Sequence, residues 1–485
     1  MTQARPLELS PTSPDGLVRP TFERLSSAWR QRQGLTYPER MALLDKLHDA
    51  TKRWEERLAT AIDEDFGSRS KIETALAEVF ITLASIKYIK RHLKSWMRPE
   101  ARETSWVFMP AKNRIIYQPR GVVGVIAPWN YPLQLALVPI AYAIAAGNRV
   151  LLKPSELTPK TSDTLAAMLA EVFPSDTCAV ITGGPEVGIA FSKLPFDHLL
   201  FTGSTTVGRH VMRAAADNLV PVTLELGGKS PVIVHGDYPL EKAAERVANG
   251  KLLNAGQTCI APDYVLVPKG REEAFAAAFS AAVARFYPTL ADNPDYTSII
   301  SDRHYQRLAR LRDEARDQGA KVVEANPANE TLDPAKRKLA PTLLLNVPEG
   351  CEVMADEIFG PLLPVVGYER LEDAIDYVND RPRPLALYYF DRDDARIKKV
   401  LSETTSGGAC VNETLLHVGQ DDLPFGGVGP SGMGAYHGRE GFLTFSHAKA
   451  VFHQSRLNST ALLAPPYGST IERLLGLLIG KAKRR

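Results

Sequence analysis

The chain has little cysteine, no charge excess and no long apolar run, and each shortage removes a class of function. Four cysteines in 485 residues, Cys178, Cys259, Cys351 and Cys410, lie 81, 92 and 59 positions apart. None forms a Cys-x-x-Cys pair and none has a histidine at ligand spacing, so neither a disulfide framework nor a metal site is expected. Few, unpaired thiols suit a reducing compartment, which makes a cytoplasmic setting the expectation. Lys plus Arg number 58 against 56 Asp plus Glu, a formal charge of +2, too weak a field to imply nucleic acid or another polyanion as partner. The opening residues, MTQARPLELSPTSPDG, hold three prolines where a secretory leader needs an unbroken apolar core. They read as a loose, uncleaved arm.

No window reaches the roughly 20 apolar residues of a membrane-spanning helix. The stretch Leu474 to Gly480, LLGLLIG, is too short to span and runs into Lys481-Ala482-Lys483-Arg484-Arg485. Two readings stand: a helix docked on the protein's own surface, favoured because helices commonly end in Lys and Arg, or weak peripheral contact with an anionic membrane surface.

What is present is ordinary globular composition, 44% hydrophobic and 24% charged, in a length that suits about two to four domains. Two large ones fit best. Residues Pro20 to Gly67 and Ser70 to Met97 carry apolar residues three and four apart, as in Leu43, Leu47, Trp54 and Leu58, which predicts two long amphipathic helices or a broken set. Thr104 to Gln118 switches to β-type residues around a Pro-Ala-Lys-Asn turn and predicts a hairpin with exposed apolar content, an arm reaching for a partner. From Gly121 short apolar runs, GVVGVIAPW, NRVLLKP, CAVITG, HLLFTG, PVTLEL and PVIV, alternate with helical stretches at Pro132 to Ala146, Thr161 to Phe173, Gly184 to Lys193 and Thr205 to Asp217. That alternation predicts a parallel sheet covered on both faces. A second α/β segment follows, with helices at Leu240 to Ala255, Arg271 to Phe286 and Arg303 to Asp317 and strands near YVLVP, KVVEA and LLPVVGY. Gly407 to Gly438, with nine glycines, predicts a run of loops.

Five motifs carry possible chemistry, each with a plainer reading beside it. Asn254 to Cys259 delivers a thiol onto a turn among small and polar residues, where a thiolate would be accessible; free cysteine is equally a small buried packing group. Leu224-Glu225-Leu226-Gly227-Gly228-Lys229 puts a carboxylate at a strand end, suited to a general base if desolvated; a salt bridge to Lys229 is the commoner fate. Pro128-Trp129-Asn130-Tyr131-Pro132 offers an amide for an oxyanion; asparagine before a helix is otherwise a cap. Lys153-Pro154-Ser155-Glu156 could hold ribose hydroxyls, and Phe201 to Gly208, with Gly203 and Ser204 opening a helix, could hold a pyrophosphate. Neither is the standard Gly-x-Gly-x-x-Gly fingerprint.

Together and in order, these motifs resemble the aldehyde dehydrogenase superfamily over nearly the whole chain. Glu225 and Cys259 stand 34 residues apart, as its general base and nucleophile do, and Glu357-Ile358-Phe359-Gly360-Pro361 matches its nicotinamide-side motif. The short N-terminus and the segment from Asn412 through Pro424 to Ser431 and on to His437-Gly438 resemble the class 3 branch, and more narrowly the bacterial coniferyl aldehyde dehydrogenases. The resemblance implies an α/β fold of two doubly wound parallel-sheet, Rossmann-like domains plus a β-hairpin oligomerisation arm. It places an NAD(P)-binding domain at 1–103 and 119–226, a catalytic domain at 227–411, bridging β-arms at 104–118 and 440–460, and a tail at 461–485.

It further implies that Cys259 attacks an aldehyde carbonyl, that Asn130 with the Cys259 N–H holds the oxyanion, and that Glu225 activates water to hydrolyse the thioester. Cofactor contacts are implied for Trp129, Lys153, Glu156, Gly203, Ser204, Gly208, Leu226, Glu357 and Phe359. Glu156 favours NAD, since a carboxylate accepts from a ribose 2′-OH and repels a 2′-phosphate; NADP stays open. A homodimer through the Thr104 to Gln118 and Ala448 to His453 segments is implied as well. The substrate reads as coniferyl aldehyde or a related aromatic aldehyde, with broad-range medium- or long-chain aliphatic oxidation as the alternative. A coenzyme A-dependent acylating enzyme and a non-catalytic binding protein are the remaining alternatives, disfavoured by the presence of both Glu225 and Cys259.

Overall fold

A computed structural model describes residues 13–458 and 464–480. Three sheets organise it. In the first, six strands lie in the order Gly432–Met433, Val222–Glu225, His198–Thr202, Val122–Ile126, Arg149–Lys153 and Cys178–Val180. All neighbours are parallel except the Gly432–Met433 edge, which pairs antiparallel with Val222–Glu225. Strands 122–126, 149–153 and 198–202 are buried at every position, the mark of a sheet sandwiched between helices. The helix Gln134–Ala146 covers one face and is itself buried throughout; Pro14–Gln31, Pro185–Ser192 and Thr205–Ala216 cover the other, around Phe22, Phe191, Phe196 and Phe201.

Chain order explains where a ligand would sit. From Val122–Ile126 the chain steps one way to 149–153 and 178–180, then returns to the opposite side for 198–202 and 222–225. The reversal leaves a crevice at the carboxyl ends of the strands beside Ile126. Residues 129–130, 153–156, 203–204 and 225 all follow or close those strands.

The second sheet has seven strands, ordered Lys321–Glu324, Thr342–Leu345, Leu362–Tyr368, Tyr264–Pro268, Pro231–Val234, Ala386–Phe390 and Gly408–Val411. Only the Lys321–Glu324 edge is antiparallel. Gly408–Val411 and Gly432–Met433 are strands inside the stretch expected to be loops.

The third sheet is the arm, and it differs from the expected hairpin. Its strands are Glu100–Arg102, Lys112–Pro119 and Ser446–His453, all antiparallel. The connection runs through Trp106–Phe108, a 3₁₀ turn with Met109 N–H bonded to Trp106 O and Ala111 N–H to Phe108 O. The turn thus lies ahead of Lys112 and Asn113, which are already strand. The β-type residues Trp106 and Phe108 are apolar because they are presented outward, with Trp106 71% exposed, and not because they alternate in a strand.

The N-terminal third is the broken set of helices: Pro14–Gln31, Tyr37–Arg53, Glu55–Phe66, Lys71–Thr74, a π-helical turn Ala75–Phe80, and Ile81–Trp96. Gly67, at φ 80°, closes the third, as a left-handed cap suits glycine. The tail forms a helix, Ser469–Leu478. Within that helix Ile471 alone is buried, while Leu477 stands 83% exposed. Lys481 to Arg485 lie outside the described residues. Among the described residues no helix is long and apolar enough to cross a membrane.

Candidate active site

Of the four cysteines only Cys259 keeps partial exposure; the other three are buried. It follows three successive residues in the left-handed region, Asn254, Ala255 and Gly256, at φ 53°, 51° and 78°. A side chain at Gly256 would strike the Gly360 carbonyl, 2.4 Å from the position of its Cβ, so the turn runs hard against the 357–361 segment. Gln257 pins it: its Nε2 donates to Asn254 O at 3.0 Å and Ser298 O at 3.1 Å, and its Oε1 accepts from Ile300 N–H at 2.9 Å. Beyond the thiol, the Tyr388 hydroxyl donates to Ile260 O at 2.5 Å. Such strain held by surrounding bonds is characteristic of functional turns.

Asn130 lies against this turn. Its Nδ2 donates one N–H to Gln257 O at 3.1 Å, leaving the second amide N–H available. Its carbonyl accepts from Arg69 Nη1 and from Asn254 Nδ2, each at 3.0 Å. Arg69 is fully buried, sandwiched between the rings of Phe66 and Tyr131 at 4.9 and 5.0 Å, and paired at 3.0 Å with an equally buried Glu78. Glu78 Oε2 in turn accepts from the N–H groups of Leu133 and Gln134, at 2.7 and 3.1 Å, at the start of the Gln134–Ala146 helix, where a negative charge suits the helix dipole. Asn130 is therefore no helix cap; a buried ion pair does the capping and holds the asparagine.

Glu225 closes its strand beside Gly203, whose N–H donates to Glu225 O at 3.0 Å. The salt bridge to Lys229 does not form: Lys229 Nζ bonds Asp263 at 2.6 Å and two backbone carbonyls of the 353–356 turn. Both Glu225 carboxylate oxygens are buried without a hydrogen-bond partner. Burial alone pushes its carboxyl well above the usual carboxylate range. Cys259 is pushed up to about 12 by burial and then by the negative charges of Glu357 and Glu225. Glu357 rises to about 8 through burial and Asp263, opposed by a bond from the Gly228 N–H. A Cβ at Gly227 would lie 1.9 Å from Glu357 Oε2, so only glycine lets that carboxylate in.

The proposed nucleotide contacts gather at the first sheet's crevice. Lys153 Nζ, on a buried side chain, bonds Glu156 Oε2 at 2.7 Å. Ser204 caps the Thr205–Ala216 helix through Val207 N–H, and a Cβ at Gly208 would sit 2.6 Å from Leu226 Cδ2, so that helix packs close to the strand end. Trp129 and Phe359 meet edge to face with centroids 5.3 Å apart, joining the first sheet's turn to the second sheet's. Lys153, Gly203 and Glu225 thus follow or close neighbouring strands of the first sheet, and the Trp129–Phe359 contact links that sheet's turns to the second's. Arg69, Glu78 and Gln257 were missed. Gln257 sat inside a quoted motif; the other two looked like charges on amphipathic helices. Among the described residues no group of three or more His, Cys, Asp or Glu could hold a metal ion.

Comparison with known proteins agrees with this geometry. Residues 20–451 match the family described as the aldehyde dehydrogenase family. The chain is 55% identical to a probable coniferyl aldehyde dehydrogenase of Pseudomonas aeruginosa, over 94% of this chain and 94% of that one. A substrate-bound AldH from Staphylococcus aureus superposes with TM-score 0.90 at 39% identity, covering 95% and 99% of the two chains. A Mycobacterium tuberculosis aldehyde dehydrogenase complexed with NAD+ does so at 0.82 and 28%, covering 92% of each.

Proposed function

Because the chain belongs to the aldehyde dehydrogenase family and so couples aldehyde oxidation to NAD(P), we propose that it converts coniferyl aldehyde or a related aromatic aldehyde to the acid through a thioester on Cys259. The observation that carries the reading is Glu225: a buried carboxyl with both oxygens unpartnered, close enough to Cys259 to raise its thiol. Leaving a carboxylate unsatisfied is costly; a water that donates to it is what it lacks.

The Cys259 S–H proton passes to Glu225 and on to solvent as the sulfur adds to the carbonyl carbon, and the C=O π pair moves to oxygen. The free N–H of Asn130 and the backbone N–H of Cys259 hold that oxyanion. A nicotinamide dinucleotide, when bound, supplies the two-electron acceptor that leaves a thioester on Cys259. Glu225 then takes a proton from water, whose oxygen attacks the acyl carbon; the C–S bond breaks, the acid departs and the thiol is restored.

The chain's residues fit such a cofactor. Glu357 Oε1 is buried without a partner, and Gly227 and Gly208 leave room where a Cβ would collide. Lys153 and Glu156 would hold the adenosine ribose, Gly203 and Ser204 the pyrophosphate, with Gly208 and Leu226 letting that helix lie close; Glu357, Phe359 and Trp129 would hold the nicotinamide ribose and ring. Glu156 argues for NAD over NADP, because its carboxylate would face a 2′-phosphate. We assign nucleotide binding to residues 1–103 and 119–226, catalysis to 227–411, and homodimerisation to the arms at 104–118 and 440–460, in a reducing, cytoplasmic setting where free thiols persist.

The test is Glu225→Gln. It should form the reduced nicotinamide in a single burst and then stall, with the acyl group visible by mass spectrometry as an adduct on Cys259. Turnover at the wild-type rate, or acid release that requires coenzyme A, would overturn the assignment of water as the acyl acceptor.

A further inference from the structure

Glu73 is used by none of the steps above, yet it stands at the root of the turn that delivers the nucleophile. Ser70 caps the short Lys71–Thr74 helix by accepting from the Glu73 N–H at 3.3 Å, and its own hydroxyl donates to Asp295 at 3.1 Å. Glu73 Oε2 accepts from the backbone N–H of Asn254 at 3.0 Å and from the Thr297 hydroxyl at 3.2 Å. One side chain of the N-terminal helices thus ties together two segments of the half that carries the second sheet.

The bond matters because of what Asn254 holds. Asn254 is fully buried at φ 53°, and Ala255 follows at φ 51°; neither is glycine, so a left-handed backbone is costly at both. The acceptor given to the Asn254 N–H is a carboxylate, the stronger kind. From Asn254 the contacts run to the oxyanion donors. Its Nδ2 donates to Asn130 O at 3.0 Å and to Gln257 O at 3.1 Å, and Gln257 O also accepts from Asn130 Nδ2 at 3.1 Å. The Asn254 carbonyl accepts from the Gln257 N–H and from Gln257 Nε2, each at 3.0 Å, two residues ahead of Cys259.

We propose that Glu73 is a positioning residue, whose bond to the Asn254 N–H holds the 254–257 turn at the geometry in which the Asn130 amide and the Cys259 N–H meet one oxyanion. Without it the Asn254 N–H loses its acceptor, and residues 254 and 255 are free to relax toward ordinary backbone. Asn254 Nδ2 then leaves Asn130 O and Gln257 O, and Asn130 Nδ2 loses the fixed carbonyl that orients its second N–H. The loss is felt where charge develops on the aldehyde oxygen, and little in the binding of aldehyde or dinucleotide. The inference rests on the oxyanion role given above to Asn130 and Cys259. Arg69 and Glu78 grip Asn130 through its carbonyl and the helix that follows it; Glu73 grips it from the nucleophile's side, as a separate clamp.

The experiment is a double-variant cycle read by stopped flow on the full-length enzyme, with NAD and cinnamaldehyde, or hexanal where the wild type does not oxidise cinnamaldehyde. It records the first-turnover rate of reduced nicotinamide, the aldehyde concentration at half-saturation, and NAD binding by quenching of tryptophan fluorescence. Glu73→Ala should slow the first turnover by about tenfold to a hundredfold, as loss of a hydrogen bond to a charged group does, with both binding constants within about twofold of the wild type. Glu73→Gln, whose amide oxygen still accepts from Asn254, should recover most of the rate. Asn130→Ala removes the oxyanion amide itself, so in Glu73→Ala/Asn130→Ala the two losses should overlap, the double variant being slower than Asn130→Ala by no more than about threefold. Damage spread through the fold would multiply instead. If Glu73→Ala does not fold, Glu73→Asp, which keeps a carboxylate at the helix start and falls short of Asn254, is read in its place. Losses that multiply, a wild-type rate in Glu73→Ala, or a Glu73→Gln as slow as Glu73→Ala overturn the role of Glu73 alone. An Asn130→Ala enzyme with the wild-type first turnover overturns the oxyanion reading beneath it.

Discussion

Replacing Glu78 by Gln should damage the protein more than replacing Arg69 by Met, although the two form one pair. Glu78→Gln leaves the Arg69 cation buried between Phe66 and Tyr131 with only the Asn130 carbonyl to accept from it. Stranding one charge of a buried pair costs about 3–5 kcal/mol. Arg69→Met instead leaves Glu78 with two N–H donors at a helix start and a carboxyl already raised by burial, so it can take up a proton; the loss is nearer the ~1–3 kcal/mol of an unsatisfied polar group. The double variant Arg69→Met/Glu78→Gln has no stranded cation, and its neutral amide still accepts from Leu133. It should match Arg69→Met, giving a coupling as large as the Glu78→Gln loss itself, about 3–5 kcal/mol between the sites. Chemical denaturation midpoints followed by tryptophan fluorescence, with rates of inactivation at fixed temperature beside them, measure the ordering. All three variants should lose kcat more than they change KM, since Asn130 loses a clamp and the oxyanion contact is made chiefly in the transition state. A double variant as unstable as the sum of the singles, or Arg69→Met worse than Glu78→Gln, refutes the reasoning.

Three further outcomes are expected. Because burial raises the Glu225 carboxyl, its ionised, water-activating fraction grows as pH rises; single-turnover acid release should therefore accelerate with pH across the neutral range, and a flat profile would point to another base. Gly227→Ala places a methyl where Glu357 sits, so its carboxylate must swing away; kcat should fall by on the order of tenfold to a hundredfold with a thermal midpoint near that of the wild type, and wild-type turnover would remove Glu357 from the site. Trp106→Ser combined with Phe452→Ser strips two exposed apolar residues from the arm; light scattering after size exclusion should show a dimer dissociating about tenfold more readily or worse, whereas an unmoved mass, or a wild-type monomer, would remove the arm from assembly.

The sheet-forming half of the fold was readable because parallel strands buried on both faces leave unbroken apolar runs, and the strands at 122–126, 149–153 and 198–202 are buried at every residue. Residues at strand ends were readable for the same reason: a change from apolar run to Gly, Asn, Lys or Glu marks where the sheet stops. What could not be read were side chains whose partners are distant in sequence. Arg69 and Glu78 look solvent-facing on amphipathic helices, and only folding shows them fully buried against residue 130 and its neighbours. In the arm, large apolar residues at 106–109 resemble a strand by composition, and hydrophobicity does not distinguish a residue buried in a sheet from one held out on a turn.

The crevice has a consequence for how the protein acquires its activity. Asn130, Lys153 and Glu225 belong to one sheet and Cys259 and Glu357 to the other, with only residues 226–230 joining Glu225 to the first strand of the second sheet. Neither half, folded by itself, contains the proposed nucleophile together with its proposed base. During synthesis or refolding, enzymatic turnover is thus a reporter of the last docking event and lags behind secondary structure formation. A freshly made chain does not turn over until its two halves have closed on each other.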